Sequence, residues 1–260
     1  MIKDRWQLRL MKRPGVEAGF RPLFRFQNLS AVTIWLALVL VMALFIDRPV
    51  IAAIASSPTF VEALGHLLEP FGNSIFPIIG GGGAIVLCFG VGLSFARGPM
   101  RRLFWSLTQL AAMVSLSALW AGLLVRVLKA LLGRPRPTKW LEDGLYHWLP
   151  AQFQHLHVSM PSGHTATVFT MAFIVSVFLP KYRVAIIAFA AMVGMGRVMT
   201  LHHWPSDIMM GAVLGWFFAR GVASLFVGSD RILVQRLNGD FRPSRVWKLH
   251  RNTIAQAIGR

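Results

Sequence analysis

The chain alternates between long apolar runs and short polar stretches in which the charges collect. A helix needs about 20 mostly apolar residues to cross a hydrocarbon core. Residues 29–46, with their flanks, and residues 75–96 supply such runs outright. Residues 103–125 form a third, with Ser106, Thr108, Gln109, Ser115 and Ser117 interspersed. Residues 166–179, 184–195 and 208–227 follow, the first two short and separated only by Pro180, Lys181, Tyr182 and Arg183. Beside four clear spans, that pair reads as two further membrane helices. The pattern predicts an all-α integral membrane fold of six transmembrane helices, with a basic leader over 1–28, a membrane domain over 29–227 and a basic tail over 228–260.

Composition agrees. The chain is 55% hydrophobic and 14% charged, against roughly 25% charged in soluble proteins. A net charge of +17 raises nucleic acid as a partner, but that reading requires a basic face on a soluble domain. Here the bases sit between apolar runs, so the bilayer is the expected partner and nucleic acid is not. The single cysteine, Cys88, lies inside a span and excludes an intrachain disulfide. Lys3, Arg5, Arg9, Lys12, Arg13, Arg21 and Arg25 precede the first span, which lacks a small-residue cleavage site and reads as retained.

Charge also orients the spans. Of the 27 Lys and Arg, 20 flank one side of the six runs and 7 the other. The richer side, which holds both chain ends, is therefore cytoplasmic. The outer side receives residues 47–74, 126–163 and 196–206. The first of these carries Glu62, His66 and Glu69 at helical spacing and is expected on the membrane surface. Trp140, Tyr146 and Trp148 give the second an interfacial character. The run Gly80 to Gly83 in the second span is expected to permit close helix packing.

Polar groups near a membrane cost free energy, so their grouping is informative. Lys129 stands near the end of the third span, followed by Gly133, Pro135, Arg136 and Pro137, so a stiff turn holds two or three cations together. Pro161, Ser162, Gly163 and His164 directly precede the fourth span. They place a hydroxyl, free amides and an imidazole at a helix N-terminus, which suits an anion; Ser162 also suits a plain helix cap. Arg197, His203 and Asp207 form the third cluster. His203 and Asp207 stand four apart and are expected to meet on one face of a helix starting near Pro205. A carboxylate on one ring nitrogen fixes the tautomer and leaves the other free to attack. All three clusters fall on the outer face, and jointly they supply what phosphoryl transfer needs.

The three clusters resemble the signature motifs of the phosphatidic acid phosphatase type 2 superfamily: Lys-x6-Arg-Pro, Pro-Ser-Gly-His and Ser-Arg-x5-His-x3-Asp. Lys129 with Arg136 and Pro137 fits the first, Pro161 to His164 the second, and Arg197, His203 and Asp207 the third. Gly196 departs from the pattern where a Ser is usual. The six-span layout extends the resemblance to the membrane lipid phosphatase branch. It implies that His203 attacks phosphorus to form a phosphohistidine, that Asp207 orients it, and that His164 protonates the leaving oxygen. Lys129, Arg136, Ser162, the Gly163 amide and Arg197 would bind the phosphate oxygens. His202 adjoins the nucleophile, but the spacing selects His203. No metal and no cofactor are implied. A zinc site from His147, His155 and His157 lacks a Cys or a well-spaced carboxylate.

The expected reaction is hydrolysis of a phosphomonoester or pyrophosphate on a lipid entering from the outer leaflet of a bacterial inner membrane. Phosphatidylglycerophosphate, undecaprenyl pyrophosphate, phosphatidic acid and the lipid A 1-phosphate all fit. A phosphotransferase would use the same motifs. An anion-binding membrane protein or transporter would instead call for inverted repeats and broken helices, and no such repeat is present.

Overall fold

The structure, a computed structural model, describes residues 26–94, 98–151, 154, 156, 158–228, 231–236, 239–245 and 247. The basic leader, Arg97, His155, His157 and the end of the tail lie outside the described residues.

The fold is mostly helical. Helix α1 (Phe26–Val41) continues through a π-helical turn (Met42–Ile46) into α2 (Asp47–Ala55). A short α3 (Thr59–Leu68) and a 3-10 turn (Glu69–Gly72) lead to α4 (Ile75–Leu93) and the long α5 (Pro99–Leu132). After α6 (Pro137–Asp143) come α7 (Gly163–Phe178), a 3-10 turn (Pro180–Tyr182), α8 (Arg183–Met199) and α9 (Pro205–Ser224). The six predicted runs thus each coincide with a long helix. Among the described residues, four helical stretches are long and apolar enough to span a membrane: Ser30–Ala55, Thr59–Leu93, Met100–Asp143 and Pro180–Met199. Gly163–Phe178 is apolar but shorter. Large apolar side chains face outward on these helices, Val86 and Val184 among them, as lipid-facing surfaces require.

Helix termini follow from local chemistry. Pro99 opens α5, where its missing N–H costs nothing. With 34 residues α5 is about 51 Å long, more than the hydrocarbon thickness of about 30 Å, and Lys129 stands in its last turn. Gly133 ends it in the left-handed conformation (φ 56°), its N–H donating to the Lys129 carbonyl at 2.9 Å. A side chain there would meet the Leu149 carbonyl oxygen at 1.6 Å, so backbone conformation and space both demand glycine.

Between membrane helices the hydrophobic effect offers little, and close backbone packing takes its place. In α9, a Cβ at Gly211 would lie 2.6 Å from the Ser162 carbonyl oxygen, and one at Gly215 would lie 2.4 Å from that of Ala166. Thr170 Oγ1 donates to the Gly215 carbonyl at 3.0 Å across the same crossing. Of the four-glycine run, Gly81 alone packs on α5, where a Cβ would sit 2.1 Å from Ser115 Oγ; Gly80, Gly82 and Gly83 face no atom within 4 Å. The close-packing expectation holds at that one position.

The helices carry an apolar core at one end and a polar one at the other. At the first, Met113, Ile174, Ala219, Val222 and Phe226 pack with Ile232, Leu233 and Phe241. The last two belong to a hairpin of β1 (Leu233–Gln235) and β2 (Phe241–Pro243), paired antiparallel with Leu233 opposite Pro243. The hairpin departs from the expected all-α fold, because three-residue strands carry too little alternation to register in the sequence. The opposite end buries Arg134, Arg136, Ser159, Ser162, Arg197, His203 and Asp207.

Candidate active site

Five segments build the polar end: the turn after α5, the segment before α7, the turn between α8 and α9, the start of α2 and the 3-10 turn Glu69–Gly72. Backbone bonds tie the first two together. Leu149 N donates to the Gly133 carbonyl at 2.8 Å, Arg136 N to that of Leu156 at 2.9 Å, and Ser159 N to that of Arg134 at 2.8 Å. Ser162 N donates to the Asp207 carbonyl at 3.1 Å, which fixes the start of α7 against α9.

His203 is buried, 2% exposed, in the turn before α9. Its Nδ1 lies 3.4 Å from Asp207 Oδ2 and 3.4 Å from Ser159 Oγ, at the long end for hydrogen bonds. The expected pairing of His203 with Asp207 is present, but the two do not share a helix face. Pro205 starts α9 one residue after its cap, Trp204, so His203 precedes the helix and the chain turns back to bring the ring over the first turn. Asp207 closes that turn: Trp204 N donates to Asp207 Oδ2 at 2.9 Å, and Asp207 N donates to the Trp204 carbonyl at 3.0 Å. Burial, and then the nearby Lys129 ammonium, hold the His203 imidazole well below the usual histidine range, against the opposing pull of Asp207. The ring is neutral at pH 7, with Nε2 on the side away from Asp207.

His164 stands one residue into α7 beside Gly72, where a Cβ would approach the His164 Cβ to 2.8 Å. It lies within electrostatic reach of Arg197, Glu69, Lys129 and His202. Lys129 in turn feels Arg136, Asp207 and Arg197. All the residues singled out in the three motifs therefore converge on one region. Ser162 is the cap of α7: its Oγ accepts from Thr165 N at 3.4 Å and from Thr165 Oγ1 at 3.0 Å. The capping role weighed for it in the sequence is present, and its own hydroxyl hydrogen stays available for a further acceptor. His202 Nδ1 sits 2.8 Å from the Thr200 carbonyl oxygen. Burial and then Arg197 lower its proton affinity.

Several participants are not specified by the motifs. Glu69 forms an ion pair with Arg197, whose Nε is buried without a hydrogen-bond partner among the described residues. Arg134, 1% exposed, donates from Nη1 to Asp207 Oδ1 at 2.7 Å and from Nη2 to Asp47 Oδ2 at 2.6 Å. Ser159 Oγ donates to Asp207 Oδ2. The signal available in the sequence was the scarcity of acids: with only 10 Asp and Glu, an Asp at the edge of an apolar run calls for a cation.

Gly196 also gains an explanation. A Cβ there would crowd Leu68 Cβ at 3.1 Å and the Gly65 carbonyl oxygen at 3.2 Å, and one at Gly65 would meet the Gly196 carbonyl oxygen at 2.8 Å. Paired glycines let α3 lie directly on α8, which brings Glu69 to Arg197. Among the described residues no group of three or more His, Cys, Asp or Glu is placed to hold a metal ion.

Comparison with known proteins gives the family. The lipid A 1-phosphatase of Rhizobium johnstonii is 35% identical over 224 residues, covering 84% of this chain and 86% of that protein. The lipid A 1-phosphatase of Rhizobium etli is 35% identical over 204 residues, covering 76% and 84%. The crystal structure of the first transmembrane PAP2 type phosphatidylglycerolphosphate phosphatase from Bacillus subtilis matches with a TM-score of 0.50 at 19% identity, over 77% of this chain and 96% of that one; that likeness is one of fold. The family model of the PAP2 superfamily matches residues 109–231, a stretch that contains all three motifs. The chain belongs to the PAP2 superfamily and is a phosphatase.

Proposed function

We propose that this phosphatase removes the 1-phosphate of lipid A at the periplasmic face of a bacterial inner membrane, through a phosphohistidine on His203. The observation that carries the reading is the meeting of a buried neutral imidazole, a second histidine and three cations at one end of the helices. The substrate class rests on the two Rhizobium relatives, both lipid A 1-phosphatases. The excess of Lys and Arg on the opposite side supports the orientation. Six long helices, each with one end at the site, support six crossings within residues 29–227, with 1–28 and 228–260 in the cytoplasm.

The lipid enters sideways, its acyl chains remaining in the bilayer while the phosphate displaces Glu69 from Arg197. Lys129, Arg136 and Arg197 neutralise the equatorial oxygens, helped by the Ser162 hydroxyl and the Gly163 amide at the start of α7. His203 Nε2 attacks phosphorus in line with the sugar oxygen. The P–N bond forms as the P–O bond breaks, and His164 gives its proton to the departing oxygen. Water then attacks the phosphorus, His164 takes its proton, and the P–N bond breaks to release inorganic phosphate and neutral His203. Proton and phosphoryl group are both accounted for, and no metal is called on.

A phosphate-release assay over lipid A, phosphatidylglycerophosphate, undecaprenyl pyrophosphate and phosphatidic acid, with EDTA, tests the proposal. The expected result is the highest kcat/KM on lipid A with loss of its 1-phosphate and no effect of EDTA. Preference for another lipid overturns the substrate, and loss of activity in EDTA overturns the mechanism.

A further inference from the structure

We propose that Asp47 and Arg134 are positioning residues of this reaction, forming a buried bridge that holds the Asp207 carboxylate against His203. The inference rests on the assignment of His203 as nucleophile. Asp47 lies outside the three motifs, Arg134 fills an unspecified position of the first, and they stand 87 positions apart.

Both oxygens of Asp207 are occupied. Oδ1 accepts from Arg134 Nη1 at 2.7 Å, while Oδ2 accepts from Trp204 N at 2.9 Å and from Ser159 Oγ, and faces His203 Nδ1. The carboxylate cannot rotate without breaking one of these bonds. Arg134 is anchored in turn. Its Nη2 meets Asp47 Oδ2 at 2.6 Å, its Nη1 meets Ser206 Oγ at 2.7 Å, and Ser206 Oγ donates to Asp47 Oδ2, which closes a ring. Ser206 N donates to Asp47 Oδ1 at 2.9 Å, so Asp47 also satisfies an open amide in the first turn of α9. The Trp204 ring lies 5.1 Å from the guanidinium. Asp47, Ser206 and Asp207 are each fully buried.

Two consequences follow. With its charge taken up by two carboxylates, Arg134 is a structural cation and not a phosphate ligand. It also draws off part of the Asp207 charge. The charged groups facing His203 are Asp207 from α9, Lys129 from α5 and Arg136 from the turn after it. An Asp207 relieved of Arg134 would favour the imidazolium, which cannot attack. The bridge therefore sets geometry and proton affinity together. The π-helical turn Met42–Ile46 directly precedes Asp47, and a register shift of this kind re-aims the residues that follow. Through it the first helix becomes part of the catalytic centre.

The test compares the full chain in detergent micelles with Asp47→Asn, Arg134→Gln, the double variant and His203→Ala, using lipid A and phosphatidic acid as probes. Arg134→Gln alone strands two buried carboxylates, whereas the double variant removes one of them and leaves Asp207 its bonds from Ser159 and Trp204, so it is expected to fold. Its kcat is expected to fall by at least about tenfold with KM nearly unchanged. The acid limb of its kcat/KM profile is expected to move up by about one pH unit, because His203 now holds its proton more tightly. Wild-type kcat with an unmoved limb would overturn the proposal, as would a raised KM at constant kcat, which marks a phosphate ligand. If the double variant does not fold, Ser206→Ala must show the same signature at smaller amplitude, and its absence overturns the proposal equally. An inactive His203→Ala beside an unaffected double variant would sink the bridge alone. A fully active His203→Ala would sink the site assignment and the bridge with it.

Discussion

Two sets of cations share the polar end of the molecule, and they are built differently. Arg134 lies between two fully buried carboxylates, with an indole ring over its guanidinium. Lys129, Arg136 and Arg197 lie within reach of one another's charge, and the carboxylate that pairs with Arg197 is Glu69, whose side chain is about a third exposed. A cation neutralised where it stands holds the fold. Cations set against one another are stabilised by an arriving anion, which is what a phosphate site requires. The distinction follows from the partner, since Arg134 and Arg197 are both buried and chemically identical, but the carboxylates on Arg134 are fully buried and the one on Arg197 is not.

The largest effect that can break this contrast lies at the residue both sets serve. His203→Ala is expected to lower kcat by more than about a thousandfold, read as phosphate release. Next, Lys129→Ala and Arg197→Ala should each cost about a hundredfold in kcat/KM and weaken competitive inhibition by inorganic phosphate. Asp47→Asn should leave that inhibition unchanged; if it weakens it as much as Lys129→Ala does, the two sets are one. The pH profile sharpens the comparison. Falling pH protonates the proposed nucleophile, and because His203 is held below the usual value of 6.5, the acid loss of kcat/KM should set in below that pH. Removing the Lys129 charge should move that limb upward. Smallest is Glu69→Gln, which loosens the Arg197 partner and should tighten phosphate inhibition by about twofold to fivefold.

Much of this was legible in the chain. Each of the six apolar runs falls on a helix, and among the described residues four helical stretches are long and apolar enough to span a membrane. Pro205 marked the start of α9, and Gly133 the end of α5. The spacing of Arg197, His203 and Asp207 selected His203 over His202, and the structure places Asp207 beside His203 while His202 turns to Thr200. What was not legible is non-local. Asp47 meets Ser206 across 159 positions, and no periodicity encodes that contact. Glu69 read as a surface residue because α3 is amphipathic, and its approach to Arg197 depends on the Gly65 and Gly196 pair. Gly196 departs from the motif where a Ser is usual. In the folded chain it is the space that α3 needs, so Gly196→Ser is expected to lower stability by about 1–3 kcal/mol, seen as a lower melting temperature, with no gain in activity.

The central claim is that His203 carries the phosphoryl group. Lipid A labelled with radioactive phosphate at its 1-position, mixed with the full chain and quenched in alkali during turnover, tests it directly, since phosphohistidine survives base. Label is expected on the peptide that contains His203 and none on the His203→Ala variant. Undiminished phosphate release by His203→Ala would contradict it.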